Sequence, residues 1–266
     1  MIVKFYILGI NRNFRGESLF QSLVKAGVNV EIVWGIDSKS FHISQKYIDN
    51  EKSMFFYGRE LTASEIACTL GHKMIADKAI RDAVDYAIIL EDDVVIRDVG
   101  MILKKLQLIS SVKHASLYFL ITHRRLSLRL PIPCAVDSRL GLQRIYSNAG
   151  GTVAYVLNKR ALESLAILPI DTWAGVQADF PPIYFEKMYM YSIRGMQEAI
   201  GMNDVASIIE GRIKIELSAG EKIKKVIFRI SLIWRSDKKR YGLGIKAYCA
   251  HFFGRALAWR LNSPVK

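Results

Sequence analysis

Three adjacent carboxylates, Glu91, Asp92 and Asp93, are the residues whose types and spacing most directly suggest chemistry. They end an apolar run that begins at Tyr86, in the stretch YAIILEDDVVI. In an extended chain Glu91 and Asp93 would share a face, about 6 to 7 Å apart, and would repel by about 2 to 3 kcal/mol at an effective dielectric constant near 20. A hard cation such as Mg²⁺ or Mn²⁺ turns that repulsion into binding and keeps positions open for substrate phosphates. The triplet therefore predicts a metal site, with a solvated acidic turn as the alternative.

The histidines and cysteines show no pattern that is typical of a zinc site. No two of the five histidines form an HxH or HExxH pair, and the three cysteines are too far apart for a CxxC motif or a disulfide framework (His42, His72, His114, His123 and His251; Cys68, Cys134 and Cys249). Few cysteines in odd number favour a reducing cytosol.

A predicted helix at residues 62–83 leads into the acidic strand. Apolar residues recur every four positions in it (Ile66, Leu70 and Met74). Thr62 and Glu65 fit a capping box, which satisfies the first unpaired N–H groups of a helix. His72 follows Glu65 by seven residues, so both lie on one face. A histidine in such a place packs in the core more often than it binds a ligand.

Strands alternate with helices along the chain, which indicates an α/β fold. Further helices are predicted at 18–26 and 101–108. The run YAIIL is apolar on both faces, so its sheet should be covered on both sides. At 266 residues, one large domain at 1–215 with an extension at 216–266 is expected. No stretch reaches the roughly 18 uninterrupted apolar residues of a membrane span.

The extension carries most of the net charge of +13, because twelve Lys and Arg residues against two acids give +10 from Glu221 onward. The segment KIKKVIFRISLIWR places apolar and basic residues on separate helical stripes (Ile223, Val226, Ile227 and Ile230; Lys222, Lys225 and Arg229). A basic amphipathic helix binds the surface of an anionic membrane, at about 1 kcal/mol for each cation. Packing of the apolar stripe on the protein's own core is the alternative.

The stretch LTASEIACTLGHKMIADKAI followed by AIILEDDVVI resembles the family 25 glycosyltransferases, which are bacterial lipopolysaccharide and lipooligosaccharide galactosyltransferases with relatives that glycosylate collagen. Their pattern is approximately L-T-x-G-E-x-G-C-x-L-S-H and then an apolar strand ending in E-D-D. YILGINRN, VWGID and GGTVAYVLNKRALESL resemble outer elements of the family, so the resemblance covers about residues 1–210. Ser64 and Ala67 replace glycines of the pattern, and Gly71 stands where serine is usual.

The resemblance implies a GT-A-type fold, a Rossmann-like mixed sheet flanked by helices. It further implies inverting transfer of a hexose from a UDP-sugar, UDP-galactose first and UDP-glucose second, to a hydroxyl of a lipopolysaccharide or lipooligosaccharide core glycan. Glu91 and Asp93 would hold Mn²⁺ or Mg²⁺ against the donor diphosphate. Asp171, in LPID, is the expected general base, with Asp179 as its substitute and a helix N-cap as the alternative role of Asp171. The residues expected at the donor are Arg12, Asp37, Glu65, His72, Asp92 and Gln197.

These expectations place the protein in the cytoplasm, peripherally on the inner face of the bacterial inner membrane. Two other functions remain possible from the sequence. An inactive donor-binding homologue, acting as an assembly partner, is suggested by the replaced glycines. A nucleic-acid-binding protein is suggested by the pI near 9.6, but no RNA- or DNA-binding motif is present and the acidic triplet would be unexplained, so no nucleic acid partner is expected.

Overall fold

A mixed β-sheet forms the centre of the protein in this computed structural model. The structure describes residues 1–10, 14–39, 60–121, 141–144, 153–167, 188–202, 218–220, 223–224 and 227. Within these residues the sheet has seven strands: β1 (Val3–Gly9), β2 (Val30–Trp34), β3 (Tyr86–Glu91), β5 (Ser116–Phe119), β6 (Leu142–Arg144), β7 (Ala154–Asn158) and β8 (Tyr189–Ile193). Their order is β2-β1-β3-β7-β5-β8-β6. Two short strands, β4 (Val94–Ile96) and β9 (Ile200–Met202), pair separately as an antiparallel ribbon.

Parallel pairing of β2, β1 and β3 brings the carboxyl ends of these three strands to one edge of the sheet. In open α/β sheets, ligands bind at this carboxyl edge. Strand β7 then pairs antiparallel with β3, with Leu90 opposite Ala154, and so begins at the same edge. The acidic triplet therefore follows a central strand with a neighbour on each side.

Four helices flank the sheet in the described ranges: α1 (Glu17–Lys25), α2 (Ala63–Arg81), α3 (Val99–Ile109) and α4 (Lys159–Ala166). The predicted capping box of α2 is present, since the Thr62 side chain accepts from the Glu65 N–H group and the Glu65 carboxylate accepts from the Thr62 N–H group. Asp98 and Asn158 cap α3 and α4 by accepting one backbone N–H each, from Met101 and Ala161. The predicted helices at 18–26, 62–83 and 101–108 are confirmed to within a few residues.

The core lies on both faces of the sheet. Ile88 packs in one buried cluster and Ile89, its neighbour in β3, packs in the other. Both side chains are fully buried, and each such burial stabilises the fold by about 1.5 to 3 kcal/mol. The predicted α/β fold, with a mixed sheet covered by helices on both faces, is confirmed.

The predicted extension at 216–266 lies almost wholly outside the described residues, so its boundary stays a prediction. Ala219, Gly220, Ile223, Lys224 and Ile227 have helical backbone. In the described part of the chain, no helix combines the length and hydropathy that crossing a bilayer requires.

Candidate active site

Close packing at the carboxyl edge brings the start of α1 against the acidic turn after β3. A Cβ atom added at Gly16 would lie 2.8 Å from the ring of Phe14 and 3.3 Å from the Cβ atom of Asp92. Contacts below 3.0 Å do not occur without movement of the neighbour, so glycine at position 16 permits this approach. Arg15, the preceding residue, is thereby placed beside the acids.

Among the described residues, Arg15 is a positive charge in direct contact with the acidic turn. Its guanidinium donates to Oδ1 of Asp92 at 2.9 Å, and its backbone N–H donates to Oδ2 of the same carboxylate at 3.1 Å. The guanidinium also lies 3.8 Å from Oδ2 of Asp93. Burial lowers the pKa of Arg15, but the hydrogen bond to Asp92 and the nearby negative charges outweigh burial and raise it. Asp92 therefore accepts hydrogen bonds at both its oxygens, and these contacts position the turn.

Asp93 is the carboxylate that fits a cation. Its Oδ1 atom is buried and has no hydrogen-bond partner within the described residues. Burial raises the pKa of Asp93, the negative charges of Glu91 and Asp92 add to the rise, and Arg15 opposes it. Without a bound cation, the surroundings of Asp93 disfavour its negative charge, and one of its oxygens accepts no hydrogen bond within the described residues. Such a carboxylate suits a hard divalent ion, which binds carboxylate oxygens.

Glu91 points to a different neighbour, the buried histidine of α2. Nε2 of His72 lies 3.6 Å from Oε1 of Glu91, and Nδ1 of His72 lies 2.9 Å from the hydroxyl of Tyr155 on β7. The sulfur of Cys68, one helical turn before His72, joins this group: ligand atoms of Cys68, His72 and Glu91 all lie within 4.8 Å of one another. The extended alternation assumed for the triplet ends at Glu91, because Asp92 and Asp93 form a turn. Asp92 and Asp93 thus share Arg15, while Glu91 faces α2.

A comparison with known protein families identifies the kind of protein to which this site belongs. The model of the glycosyltransferase family 25 (LPS biosynthesis protein) matches residues 2–170, which include α2, the acidic turn and β7. The chain belongs to glycosyltransferase family 25. The resemblance found in the sequence is confirmed, and a glycosyltransferase acts on a sugar donor and a glycan acceptor.

Three solved structures are distantly similar to this family 25 chain. A protein from STIV is 11% identical and covers 80% of this chain and 100% of its own, with a TM-score of 0.34. A glycosyltransferase involved in glycosylation of the major capsid of PBCV-1 is 11% identical over 65% of this chain and 66% of its own, with a TM-score of 0.31. Mannose-1-phosphate geranyltransferase from Thermus thermophilus is 9% identical over 73% and 74%, with a TM-score of 0.37. No protein of curated function matches the sequence significantly.

The other residues predicted for the donor site have separate surroundings. Asp37 follows β2 at the same edge, and its Oδ1 accepts from the backbone N–H of Lys39. Glu65 is buried and makes the capping contact at the start of α2. Gln197 is exposed at the far end of β4 from the acidic turn, where its carbonyl oxygen accepts from Arg97. Arg12, Asp171 and Asp179 lie outside the described residues, so their predicted roles stay predictions.

Two residues of this edge were missed in the sequence. Arg15 stands in the same turn, NRNFRG, as Arg12, and a neighbouring acid cannot be assigned to either arginine from spacing alone. Cys68 precedes His72 by four residues, a spacing that places both on one face of a helix. That spacing was the available signal for a shared ligand, and only the fold adds Glu91 to the pair.

Proposed function

We propose that this family 25 glycosyltransferase moves a hexose, galactose first and glucose second, from a UDP-sugar to a hydroxyl of a lipopolysaccharide or lipooligosaccharide core glycan, with inversion at the anomeric carbon. The observation that carries the proposal is the buried Oδ1 of Asp93, which has no partner within the described residues and lies at the carboxyl edge of the sheet. Glu91 and Asp93 would hold Mn²⁺ or Mg²⁺. When bound, such a cation neutralises charge on the leaving diphosphate.

The residues of the chain supply positioning and proton transfer. Arg15 fixes Asp92 with two hydrogen bonds, which holds the turn that carries Asp93. The same guanidinium carries a positive charge beside the proposed diphosphate position. Removal of the acceptor proton requires a carboxylate on the opposite side of the sugar from the leaving group. Asp171 is proposed for that step, with Asp179 as substitute.

A transfer assay tests the proposal directly. The purified chain is incubated with UDP-galactose or UDP-glucose and a core-glycan acceptor, with Mn²⁺ or with EDTA, and UDP release and product mass are measured. Turnover with Mn²⁺ that Asp93→Asn abolishes is expected. Asp77→Asn is the matched control, since Asp77 forms an i,i+4 pair with Lys73 on α2 and takes no part in the site. Failure of every UDP-sugar would refute the proposal.

The same assay separates the inactive-homologue alternative, which predicts donor binding without UDP release. The replaced glycines do not favour that alternative over turnover. The Ser64 hydroxyl lies 3.1 Å from the hydroxyl of Ser38, and Ala67 is buried in a small cluster with Leu61 and Leu70. Both side chains thus lie in the contact between α2 and the segment after β2. Salt-sensitive retention on DNA without sugar transfer would instead support the nucleic-acid alternative.

Peripheral contact with the cytoplasmic face of an anionic inner membrane completes the proposal. Ile223 and Ile227, one helical turn apart, are 59% and 61% exposed, and Lys224 beside them is exposed too. Apolar side chains in water next to cations suit a lipid surface. Co-sedimentation with anionic liposomes should fall on Ile223→Ser with Ile227→Ser. Ile167→Ser is the control, because Ile167 is 74% exposed on the body of the protein; equal loss with the control would contradict membrane contact.

A further inference from the structure

A cluster of three different types of metal ligand lies at the carboxyl edge of the sheet, formed by Cys68, His72 and Glu91. One ligand atom from each lies within 4.8 Å of the other two. Cys68 carries a thiol, not a disulfide, and is partly buried. His72 is fully buried and Glu91 is about 29% exposed. The cluster can therefore be reached from solvent on the Glu91 side while its imidazole is shielded.

The packing of α2 against the sheet brings these three residues together. Cys68 and His72 are four residues apart in α2 and so lie on one helical face. Gly71 lets that face approach β1 closely, since an added Cβ would lie 2.8 Å from Cδ1 of Leu8. Glu91 ends β3, the strand next to β1. Helix and strand end thus meet at a fixed distance that is set by backbone packing.

Tyr155 orients the imidazole. Its hydroxyl lies 2.9 Å from Nδ1 of His72, which fixes the ring so that Nε2 is presented toward Glu91, 3.6 Å from Oε1 of that carboxylate. Histidines that bind metals use this arrangement, with the second ring nitrogen hydrogen-bonded to a neighbouring group.

The ligand types and distances identify the cation. Zinc takes thiolate, imidazole and carboxylate ligands in tetrahedral geometry, with Zn–N of about 2.0 to 2.1 Å and Zn–O of about 2.0 to 2.2 Å. These lengths place two adjacent ligand atoms about 3.4 Å apart, close to the 3.6 Å between His72 and Glu91. A thiolate favours zinc over the hard ions Mg²⁺ and Mn²⁺. Three protein ligands leave the fourth position open.

We propose that Cys68, His72 and Glu91 bind a zinc ion, at a site that overlaps the hard-cation site of Glu91 and Asp93 at Glu91 alone. Glu91 belongs to both sites. As a consequence that rests on the proposed function, zinc bound here withdraws Glu91 from the donor site and inhibits Mn²⁺-dependent transfer. The zinc site itself depends only on the three ligands and on Tyr155.

Cobalt substitution tests the site without any sugar chemistry. The full chain, reduced and freed of metal by a chelator, is titrated with Co²⁺, and the near-ultraviolet thiolate-to-cobalt charge-transfer band is recorded. Zinc affinity is then measured by competition with a chromophoric chelator. The band should appear in the parent and vanish in Cys68→Ser. Cys134→Ser and Cys249→Ser, which remove the other two thiols of the chain, should retain it.

Further variants keep the test decisive if one of them folds poorly. Glu91→Gln should weaken zinc binding by at least about 100-fold, and Tyr155→Phe by about 10- to 100-fold, because Tyr155 only orients a ligand. A parent without the band, or a Cys68→Ser variant that keeps parent zinc affinity, would overturn the inference. A band in a protein that transfers no sugar would uphold the zinc site while refuting the proposed function.

Discussion

Replacing Asp92 and Asp93 in turn by asparagine makes the same chemical change at adjacent positions, yet we expect opposite effects on stability. Asp92 accepts two hydrogen bonds, one of them from a guanidinium. Hydrogen bonds to charged groups contribute about 1.5 to 3 kcal/mol. Asp92→Asn should therefore destabilise the protein by about that amount and lower the melting temperature by about 3 to 12 °C, at about 2 to 4 °C per kcal/mol.

Asp93→Asn should instead stabilise the metal-free protein. An unsatisfied buried polar group costs about 1 to 3 kcal/mol, and more when it is charged; Oδ1 of Asp93 is such a group within the described residues, and asparagine removes its charge. Loss of attraction to Arg15 at 3.8 Å opposes the gain. The raised pKa of Asp93, caused first by burial and then by Glu91, favours a net cost of the ionised carboxylate. We expect a net gain of about 1 kcal/mol, or about 2 to 4 °C.

The gain from Asp93→Asn should depend on pH. Because the folded pKa of Asp93 is raised, the folded state keeps its proton to higher pH than the unfolded chain does. The cost of the ionised carboxylate is therefore absent below the unfolded pKa of about 3.9, grows as the pH rises from there toward the folded pKa, and is fully present above the folded pKa. Thermal unfolding in EDTA, followed by circular dichroism between about pH 4 and 7.5, should show the advantage only toward the upper end. Destabilisation by Asp93→Asn at the upper end of that range would refute this account of the turn.

Two more predictions concern the contacts that position the site. In a double-mutant cycle, Arg15→Met and Asp92→Asn should show a coupling energy of about 1 to 3 kcal/mol in urea unfolding, because they remove one charge-assisted hydrogen bond; strict additivity would contradict that bond. Glu65→Ala should destabilise the protein by about 0.5 to 2 kcal/mol through loss of the capping box. UDP-sugar affinity, measured by calorimetry on the folded variant, separates capping from the predicted donor contact. Only loss of a donor contact should lower that affinity, by at least about tenfold.

Local elements of the fold were predictable because their determinants are close together in sequence. The capping box of α2 involves residues three positions apart, and the apolar run of β3 indicates burial on both faces without knowledge of its partners. Strand order was not predictable in this way. The placement of β7 between β3 and β5 depends on antiparallel pairing between β3 and a segment far along the chain. The periodicity of apolar residues does not indicate which strands pair.

The same distinction between local and long-range determinants applies to the candidate site. The acidic triplet and the residues of the family pattern were evident in the sequence. The pairing of Arg15 with Asp92 joins residues 77 positions apart, and the approach of Cys68 to Glu91 depends on how closely α2 packs on β1. The change from strand to turn after Glu91 also redirected Asp92 and Asp93, because the alternation of side chains holds only while the chain stays extended.

Calorimetric titration of UDP into the chain tests the central claim most directly, with Mn²⁺ and again with EDTA. The account predicts that binding requires Mn²⁺ and that Asp93→Asn weakens it by at least about tenfold, or about 1.4 kcal/mol, while Asp77→Asn leaves it unchanged. UDP that binds equally tightly in EDTA, or equally tightly to Asp93→Asn and to the parent, would contradict a cation-bridged diphosphate at the acidic turn.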